Sequence, residues 1–303
     1  YGKKDIVTKR LIGESFLYDV PGQKPNFTRA EEELKEAMDY NSKDFPTLMA
    51  LGYCYKEKPD GGLAAQHYEY AAYAEPQNVL AQFMLAKVYR TAKIYDKFLT
   101  YADKAIALKP SFTPALRAKT EYLYFESKWP EATVAAKALV NQGAEVTIED
   151  EMMLANLLYI TQDCKACSDL VDKILKKDGS KNYLRRLQAY CKYDNGQYSD
   201  GLKILQDFFK QVTPDKVIAT DYEYLAKLQL ATGSDTLAAI GNYRKVIDKD
   251  SSKWKLYEEI AKLQYNAKDY CNAAVSYQSF IDSLTDDIST KVNSSLFMGF
   301  SHF

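Results

Sequence analysis

Histidine is scarce in this chain: the 303 residues contain two, His67 and His302. Two histidines far apart in sequence supply no obvious acid–base pair and no His-rich metal site. The 13 glycines are scattered, and none of them forms a glycine-rich phosphate-binding loop. The abundant acidic residues show no pair that stands apart from a solvated helix surface. The sequence therefore predicts a protein that is not an enzyme and needs no metal or cofactor.

The chain also lacks long apolar runs and a net charge of either sign. No run reaches the roughly 18 apolar residues of a membrane-spanning helix, so no membrane span is expected. Lys and Arg total 40 against 41 Asp and Glu, giving a formal net charge of −1. Nucleic acid is therefore not an expected partner, because its recognition requires a basic field.

The compartment is not decided by the sequence. No signal peptide is visible, but the chain begins at Tyr1 rather than at a methionine. A removed secretory signal would place the protein in a bacterial periplasm or cell envelope, and a trimmed chain would leave the cytoplasm as the alternative. We favour the envelope as the working hypothesis.

A recurrence of mostly small residues is the strongest pattern in the chain. The recurring positions are Ala30, Ala64, Phe98, Ala132, Cys167, Gly201, Ala239 and Ala273. The spacing between neighbours in this series is nearly constant, and only the step from Gly201 to Ala239 is clearly longer. A period of about 34 residues is typical of a helix–turn–helix unit that stacks on its neighbours. Such arrays present an extended surface rather than a closed pocket.

One unit shows how the repeat is expected to pack. Its pattern comprises Gly52, Tyr55, Ala64, Tyr68, Ala71 and Pro76. Small residues let the two helices approach, and the aromatic rings fill the wider gaps beside them. In the next unit the sizes are exchanged, with Phe98 at the small position and Ala102 at the large one. Such a volume-conserving exchange is what a packed core tolerates best.

This pattern resembles the tetratricopeptide repeat (TPR) family over nearly the whole chain. The resemblance implies an all-α fold: a right-handed α-solenoid of antiparallel helix pairs, with about eight repeats and a partial ninth. Units are expected at residues 3–42, 45–78, 79–112, 113–146, 148–181, 182–215, 219–253 and 254–287. In composition the chain is similar to TPR proteins of Bacteroidota bacteria.

Irregular spacing divides the array of repeats. Residues 1–211 are expected to hold repeats one to six, 212–218 a joint containing Pro214, and 219–303 the remaining repeats, most simply as one continuous solenoid. Asn293 to Phe303 is read as the first helix of the partial ninth unit, which suggests a longer natural protein. Lys119 and Gln188 stand where the family usually has Leu, so Tyr122 and Tyr190 are expected to supply the packing.

The five cysteines are too few for a disulfide framework. Cys164 and Cys167 form a C-x-x-C pair, but thiol redox chemistry needs a βαβ context that is absent. One period earlier their positions are held by Trp129 and Ala132, so both are interpreted as packing residues. The sequence leaves open a disulfide between Cys164 and Cys167, and a metal cluster that includes Cys191 would lack a fourth ligand.

The resemblance further implies that the first helix of each unit lines a concave groove. The candidate contact residues are Tyr53, Phe83, Lys87, Arg90, Arg117, Tyr124, Met152, Asn156, Tyr159, Arg186, Tyr190 and Tyr193. Tyr, Met and Arg are favoured at recognition surfaces, and the arginines are expected to pair with acidic groups of a peptide. The sequence thus predicts a non-catalytic scaffold that binds a protein or peptide, of unknown oligomeric state. The alternative is a structural or self-assembling component of a larger complex.

Overall fold

The computed structural model describes residues 2–19, 22 and 24–284. Within these residues the chain forms sixteen α-helices and no strand. They are α1 (Gly2–Ser15), α2 (Phe27–Tyr40), α3 (Phe45–Glu57), α4 (Gly61–Ala74), α5 (Val79–Thr91), α6 (Tyr95–Leu108), α7 (Thr113–Phe125), α8 (Trp129–Gln142), α9 (Ile148–Ile160), α10 (Cys164–Lys177), α11 (Arg185–Asp194), α12 (Tyr198–Gln211), α13 (Ala219–Thr232), α14 (Thr236–Lys249), α15 (Leu256–Asn266) and α16 (Tyr270–Ser283). Three short 3-10 helices lie at Gly179–Leu184, Pro214–Lys216 and Ser251–Lys253. The all-α helix-pair fold is confirmed.

Odd-numbered helices are the first, or A, helices of the repeats, and even-numbered helices are the B helices. From α3 onward each A helix is followed after a short turn by its B helix, whereas the longer segment 16–26 joins α1 to α2; the pairs match the eight predicted repeats. The chain separates into two compact units, Tyr1–Leu157 and Leu158–Phe303. The segment 212–218 lies in the second of these, where a 3-10 turn precedes α13; its interpretation as a joint stays a prediction. The predicted ninth repeat, Asn293–Phe303, lies outside the described residues.

Among the described residues, six of the turns between A and B helices share one backbone geometry. A residue with positive φ follows the A helix at Lys93, Ser127, Gln162, Gly196 and Gly233, as well as at Lys268. The next amide then donates back across the turn, as Ile94 N does to Tyr89 O (2.9 Å) and Gln197 N does to Lys192 O (2.8 Å). This six-to-one hydrogen bond satisfies a carbonyl at the helix end and reverses the chain.

The recurring small positions lie in the helix contacts, as the period predicts. Ala30, Ala64, Phe98, Ala132, Cys167, Ala239 and Ala273 are all 0% exposed, and Gly201 is buried. Gly52 faces Tyr68, because a β-carbon built on Gly52 would lie 2.5 Å from the Tyr68 ring. The close approach of α3 and α4 therefore depends on the missing side chain at Gly52.

Lys119 and Gln188, which stand where the family usually has Leu, are accommodated in the same way. Tyr122 and Tyr190 are buried, as expected. Lys119 donates to Asp103 (2.5 Å), and Gln188 donates to Asp172 (3.1 Å). In both cases the acceptor lies 16 residues earlier, on the preceding B helix. A polar contact between helices thus replaces the apolar contact of a leucine.

Candidate binding face

The first compact unit brings several predicted contact residues together on its A helices. On α5, Phe83 packs edge to face against Phe112 with ring centroids 5.3 Å apart. The exposed Lys87 places its ammonium 6.0 Å from the centre of the Phe83 ring. On α7, the half-buried Tyr124 packs against Trp129 at 5.5 Å. We call the surface that carries Phe83, Lys87 and Tyr124, with Tyr53, Met152 and Asn156 described next, the A-helix face of the first compact unit.

Tyr53 lies on the same face, on α3. Its ring stacks on Tyr18 at 5.7 Å, and the Lys56 ammonium lies 4.6 Å from its centre. Met152 and Asn156 are half-buried on α9. These aromatic and methionine side chains offer contact area while keeping part of their surface in solvent, which suits recognition.

Arg117 has an intramolecular partner. Its Nε donates to Asp150 Oδ1 (2.8 Å) and its Nη2 to Asp150 Oδ2 (2.7 Å), a bidentate ion pair between α7 and α9. Nη2 also donates to the carbonyl of Glu145 (3.0 Å) in the loop before α9. Asp150 in turn accepts from the amide of Thr147 (2.9 Å), so it caps its own helix. Arg117 is thereby held between successive repeats.

The second compact unit repeats this arrangement with different residues. Arg186 Nη2 lies 3.3 Å from Asp221 Oδ2 and donates to the carbonyl of Lys216. Asp221 caps α13 by accepting from the amide of Ile218 (2.8 Å). It also accepts from the Tyr190 hydroxyl (2.5 Å). We call these two arrangements the Arg–Asp clamps; Arg90 is paired more simply, with Glu121 at 3.0 Å.

The predicted tyrosines of the second compact unit form one cluster around Tyr224. Tyr190 stacks on Tyr224 at 4.1 Å, Tyr193 meets it at right angles at 5.4 Å, and the Tyr159 and Tyr224 hydroxyls are 2.6 Å apart. Tyr190 is 2% exposed. Burial, and then the nearby Asp221, raise the pKa of Tyr190, so its hydroxyl stays a donor. Tyr224 is not among the contact residues predicted from the sequence, although it lies one repeat period after Tyr190.

The two clusters differ in what they offer a ligand. In the second compact unit the rings and hydroxyls are largely committed to one another and to Asp194 and Asp221. In the first compact unit, large side chains on neighbouring A helices remain partly exposed. The predicted residues Tyr53, Phe83, Lys87 and Tyr124 therefore remain at least partly exposed on three A helices, whereas Arg117, Arg186 and Tyr190 hold repeats together.

Within the described residues, no group of three or more His, Cys, Asp and Glu side chains is placed to hold a metal ion. His67 stacks on Tyr55 at 5.1 Å, and burial lowers its pKa; His302 lies outside the described residues. Between residues 2 and 284, no described helix is long and apolar enough to cross a membrane.

The interpretation of Cys164 as a packing residue is wrong. Cys164 forms a disulfide with Cys191, with Cα atoms 5.4 Å apart, and thereby links α10 to α11. The turn that reverses the chain between these helices brings the two residues within bonding range, although 27 positions separate them. Cys167 forms no disulfide among the described residues and is fully buried, as its repeat position predicts.

Comparison with known proteins supports the fold rather than a function. No family model matches the sequence, and no curated protein matches it. Among solved structures, Naa15/Naa10 bound to HypK-THB aligns with a TM-score of 0.62 and 12% identity, over 98% of this chain and 44% of that one. The APC/C hetero-tetramer Cut9–Hcn1 aligns with a TM-score of 0.50 and 11% identity, over 91% and 52%. A tetratricopeptide repeat protein from Parabacteroides merdae aligns at 0.48 and 16%, over 86% and 99%.

The fold is that of the tetratricopeptide repeat. The helix pairs recur with its characteristic period, and their contacts contain the small residues that the repeat requires. Identities of 11–16% to these structures establish no shared activity or partner. What the TPR array does must therefore be argued from its own surface.

Proposed function

We propose that the protein is a non-catalytic scaffold that binds a protein or peptide on the A-helix face of its first compact unit. The carrying observation is the group of partly exposed aromatic and methionine side chains on α3, α5 and α7, beside the exposed Lys87. Rigid rings contribute contact area at a low entropic cost, and methionines adapt to their partner. These properties favour an extended or helical segment of another protein as the ligand.

The Arg–Asp clamps bear on which cationic side chain would recognise an acidic group of the peptide. Arg117 is engaged by Asp150, so pairing it with an acidic peptide group would first cost the bidentate contact. Lys87 has no such ion pair within the described residues and remains exposed. We therefore assign recognition of an acidic peptide group to Lys87, with Phe83 and Tyr124 receiving apolar side chains.

The proposal is tested with peptides selected from a random linear library displayed on phage. Their dissociation constants are measured by fluorescence polarisation for the wild type and for Phe83→Ala/Lys87→Ala. We expect the double substitution to weaken binding about tenfold or more, because buried aromatic anchors and their charged neighbours dominate such interfaces. The matched control is Glu131→Ala/Val134→Ala on α8, where both side chains are exposed.

Two outcomes would overturn the proposal. One is that no peptide is selected above background. The other is that both double variants bind the selected peptides as tightly as the wild type does.

A structural or self-assembling role is the second candidate. It is favoured by large apolar side chains that B helices expose, including Tyr73 (77%), Val134 (71%) and Leu237 (74%). Such residues are candidates for contacts between protein surfaces. Light scattering over a hundredfold range of protein concentration tests it. A mass that rises with concentration supports self-assembly, and a constant monomer mass contradicts it.

The disulfide supports the working hypothesis of an oxidising compartment. The Cys164–Cys191 bond links two helices of the second compact unit, and structural disulfides persist mainly in secreted and periplasmic proteins. We infer an extracytoplasmic location, in line with the bacterial periplasm or envelope. Recovery of the native protein with five reduced thiols from freshly lysed, alkylated cells would contradict this inference.

A further inference from the structure

A small cavity on the A-helix face lies beside α1, α3 and α5 in the first compact unit. Its volume is about 310 Å³, which suits one side chain rather than a large ligand. The lining side chains that matter here are Glu14, Tyr18, Met49, Tyr53, Tyr68 and Met84. The walls are thus mainly aromatic and thioether groups, with a carboxyl group at one side.

Tyr68 places a hydrogen-bonding group in this cavity. It belongs to α4, a B helix, and its ring reaches the A-helix side because Gly52 has no side chain to block it. The residue is 0% exposed, and its hydroxyl has no hydrogen-bonding partner among the described residues. Burial raises the pKa of Tyr68, so the hydroxyl remains protonated. A buried donor without a partner destabilises the free protein, and a ligand that reaches it would supply that partner.

Glu14 gives the cavity its charge. Burial raises the pKa of Glu14, and the attraction of Arg10 does not fully offset this effect. The Arg10 Nε lies 3.5 Å from Glu14 Oε1, and a second arm of Arg10 is shared with Asp44 at 3.6 Å. The Glu14 carboxylate is therefore incompletely compensated by its surroundings, and a further cation beside it would be stabilising.

We propose that this cavity binds a lysine or arginine side chain of an extended peptide. The aliphatic stem packs on Met49 and Met84, and the cationic head lies against Glu14 and the Tyr18 ring. The Tyr68 hydroxyl donates to a carbonyl of the same peptide. An acidic side chain would be repelled by Glu14, and an aromatic one would leave that carboxylate uncompensated. This inference rests on the proposed function, because it adds a subsite to the same face.

Methionine methyl groups report directly on the cavity. The protein, which has six methionines, is labelled with ¹³C at those methyls and titrated with Ac-Ala-Lys-Ala-NH₂. We expect the Met49 and Met84 signals to move, while Met38 and Met153 serve as internal controls outside the cavity. The neutral analogue with norleucine in place of lysine is expected to bind about tenfold more weakly, because it lacks the charge-assisted contact.

Substitutions separate ligand contacts from structural roles. Glu14→Gln is expected to weaken binding of the lysine peptide about tenfold, whereas Glu131→Gln on α8, outside the A-helix face, leaves it unchanged. Tyr68→Phe is expected to weaken binding severalfold without lowering the melting temperature, because it removes a hydroxyl that has no partner within the described part of the chain. A purely structural role for Tyr68 would instead lower the melting temperature and spare the affinity.

The inference fails if the Met49 and Met84 signals do not respond to the lysine peptide. It also fails if the norleucine analogue or Ac-Ala-Phe-Ala-NH₂ binds as tightly as the lysine peptide does. Library-selected peptides that still depend on Phe83 and Lys87 would then leave the proposed function standing without this subsite. Loss of both would reject the binding face itself.

Discussion

Single arginines hold successive repeats together in two places. Arg117 reaches Asp150, and Arg186 reaches Asp221; each aspartate is the third residue of the next A helix and caps that helix. One carboxylate thus serves helix capping and an inter-repeat ion pair at once. The effects on acidity differ, since the hydrogen bonds lower the pKa of Asp150, whereas burial raises that of Asp221.

The clamp at Asp150 predicts a specific dependence of stability on pH. Burial alone would raise the pKa of Asp150, but hydrogen bonds from Arg117 and Thr147 outweigh it and lower the pKa below its ordinary value. The stabilisation is therefore complete above the unfolded value and is lost as pH falls through the lower folded value. We expect Asp150→Asn to cost about 1.5–3 kcal/mol near pH 7. That difference from the wild type should shrink below about pH 4.

Urea unfolding at a series of pH values measures this difference. The control is Asp169→Asn, because Asp169 is exposed and pairs with the exposed Lys165. It should change stability little at any pH. A constant cost for Asp150→Asn from pH 7 to pH 3 would contradict the prediction.

Cysteine reactivity gives a second prediction at the residue scale. Burial raises the pKa of Cys54 to about 11 and that of Cys167 to about 12, so both are poor nucleophiles at neutral pH. Cys271 is exposed, and Cys164 and Cys191 are bonded. A thiol reagent should therefore titrate one group rapidly in the native protein, three after unfolding, and five after unfolding with reduction. Five thiols in the unreduced, unfolded protein would contradict the disulfide.

At the scale of the helix pair, several turns place a non-glycine residue in a backbone conformation that favours glycine. The equivalent turn position is glycine at Gly196 and Gly233 but a side-chain-bearing residue at Ser127 and Gln162, all with positive φ. Non-glycine residues in this conformation are disfavoured by about 1–2 kcal/mol. We expect Gln162→Gly to stabilise the protein by about 0.5–1 kcal/mol after the entropic cost of glycine.

The reciprocal change is the matched control. Gly196→Ala should destabilise by about 1 kcal/mol, and through conformation alone, because a β-carbon there would meet no atom within 4 Å. Thermal unfolding followed by circular dichroism compares both variants with the wild type. Changes in the same direction for the two substitutions would contradict the account of the turn.

The contact between α3 and α4 depends on Gly52. A methyl group there would collide with the Tyr68 ring at 2.5 Å, so Gly52→Ala should destabilise by about 1–3 kcal/mol. Gly61→Ala in α4 is the control, because its β-carbon would meet nothing within 4 Å. Urea unfolding should show a loss for the first and no loss for the second. Equal stability of both variants would mean that the ring moves aside without cost.

At the scale of the whole molecule, the sequence predicts the helix pairs better than it predicts which side chains contact each other. The repeat period arises from helix contacts that recur in every repeat, so it places the A and B helices and their buried small residues. It also identifies which residues share a face, but not which of them pair. Arg117 and Asp150 lie 33 residues apart, and no local pattern singles out that contact from others on the same face.

Two omissions have different causes. The Cys164–Cys191 bond depends on the turn between α10 and α11 bringing two helices together, which composition and spacing do not specify. Tyr224 could have been found, because it repeats Tyr190 one period later. Phe83 and Lys87 are predicted contact residues because the TPR resemblance implies that A helices line the groove; their contact with a partner stays a prediction.

The central claim is that a peptide is held on the A-helix face of the first compact unit. Photo-crosslinking tests it most directly, with p-benzoylphenylalanine placed at position 83 on α5 or at position 134 on α8. A library-selected peptide should crosslink from position 83 and not from position 134, and unlabelled peptide should abolish the product. Crosslinking from position 134 alone, or from neither position with a peptide that binds, would contradict the account.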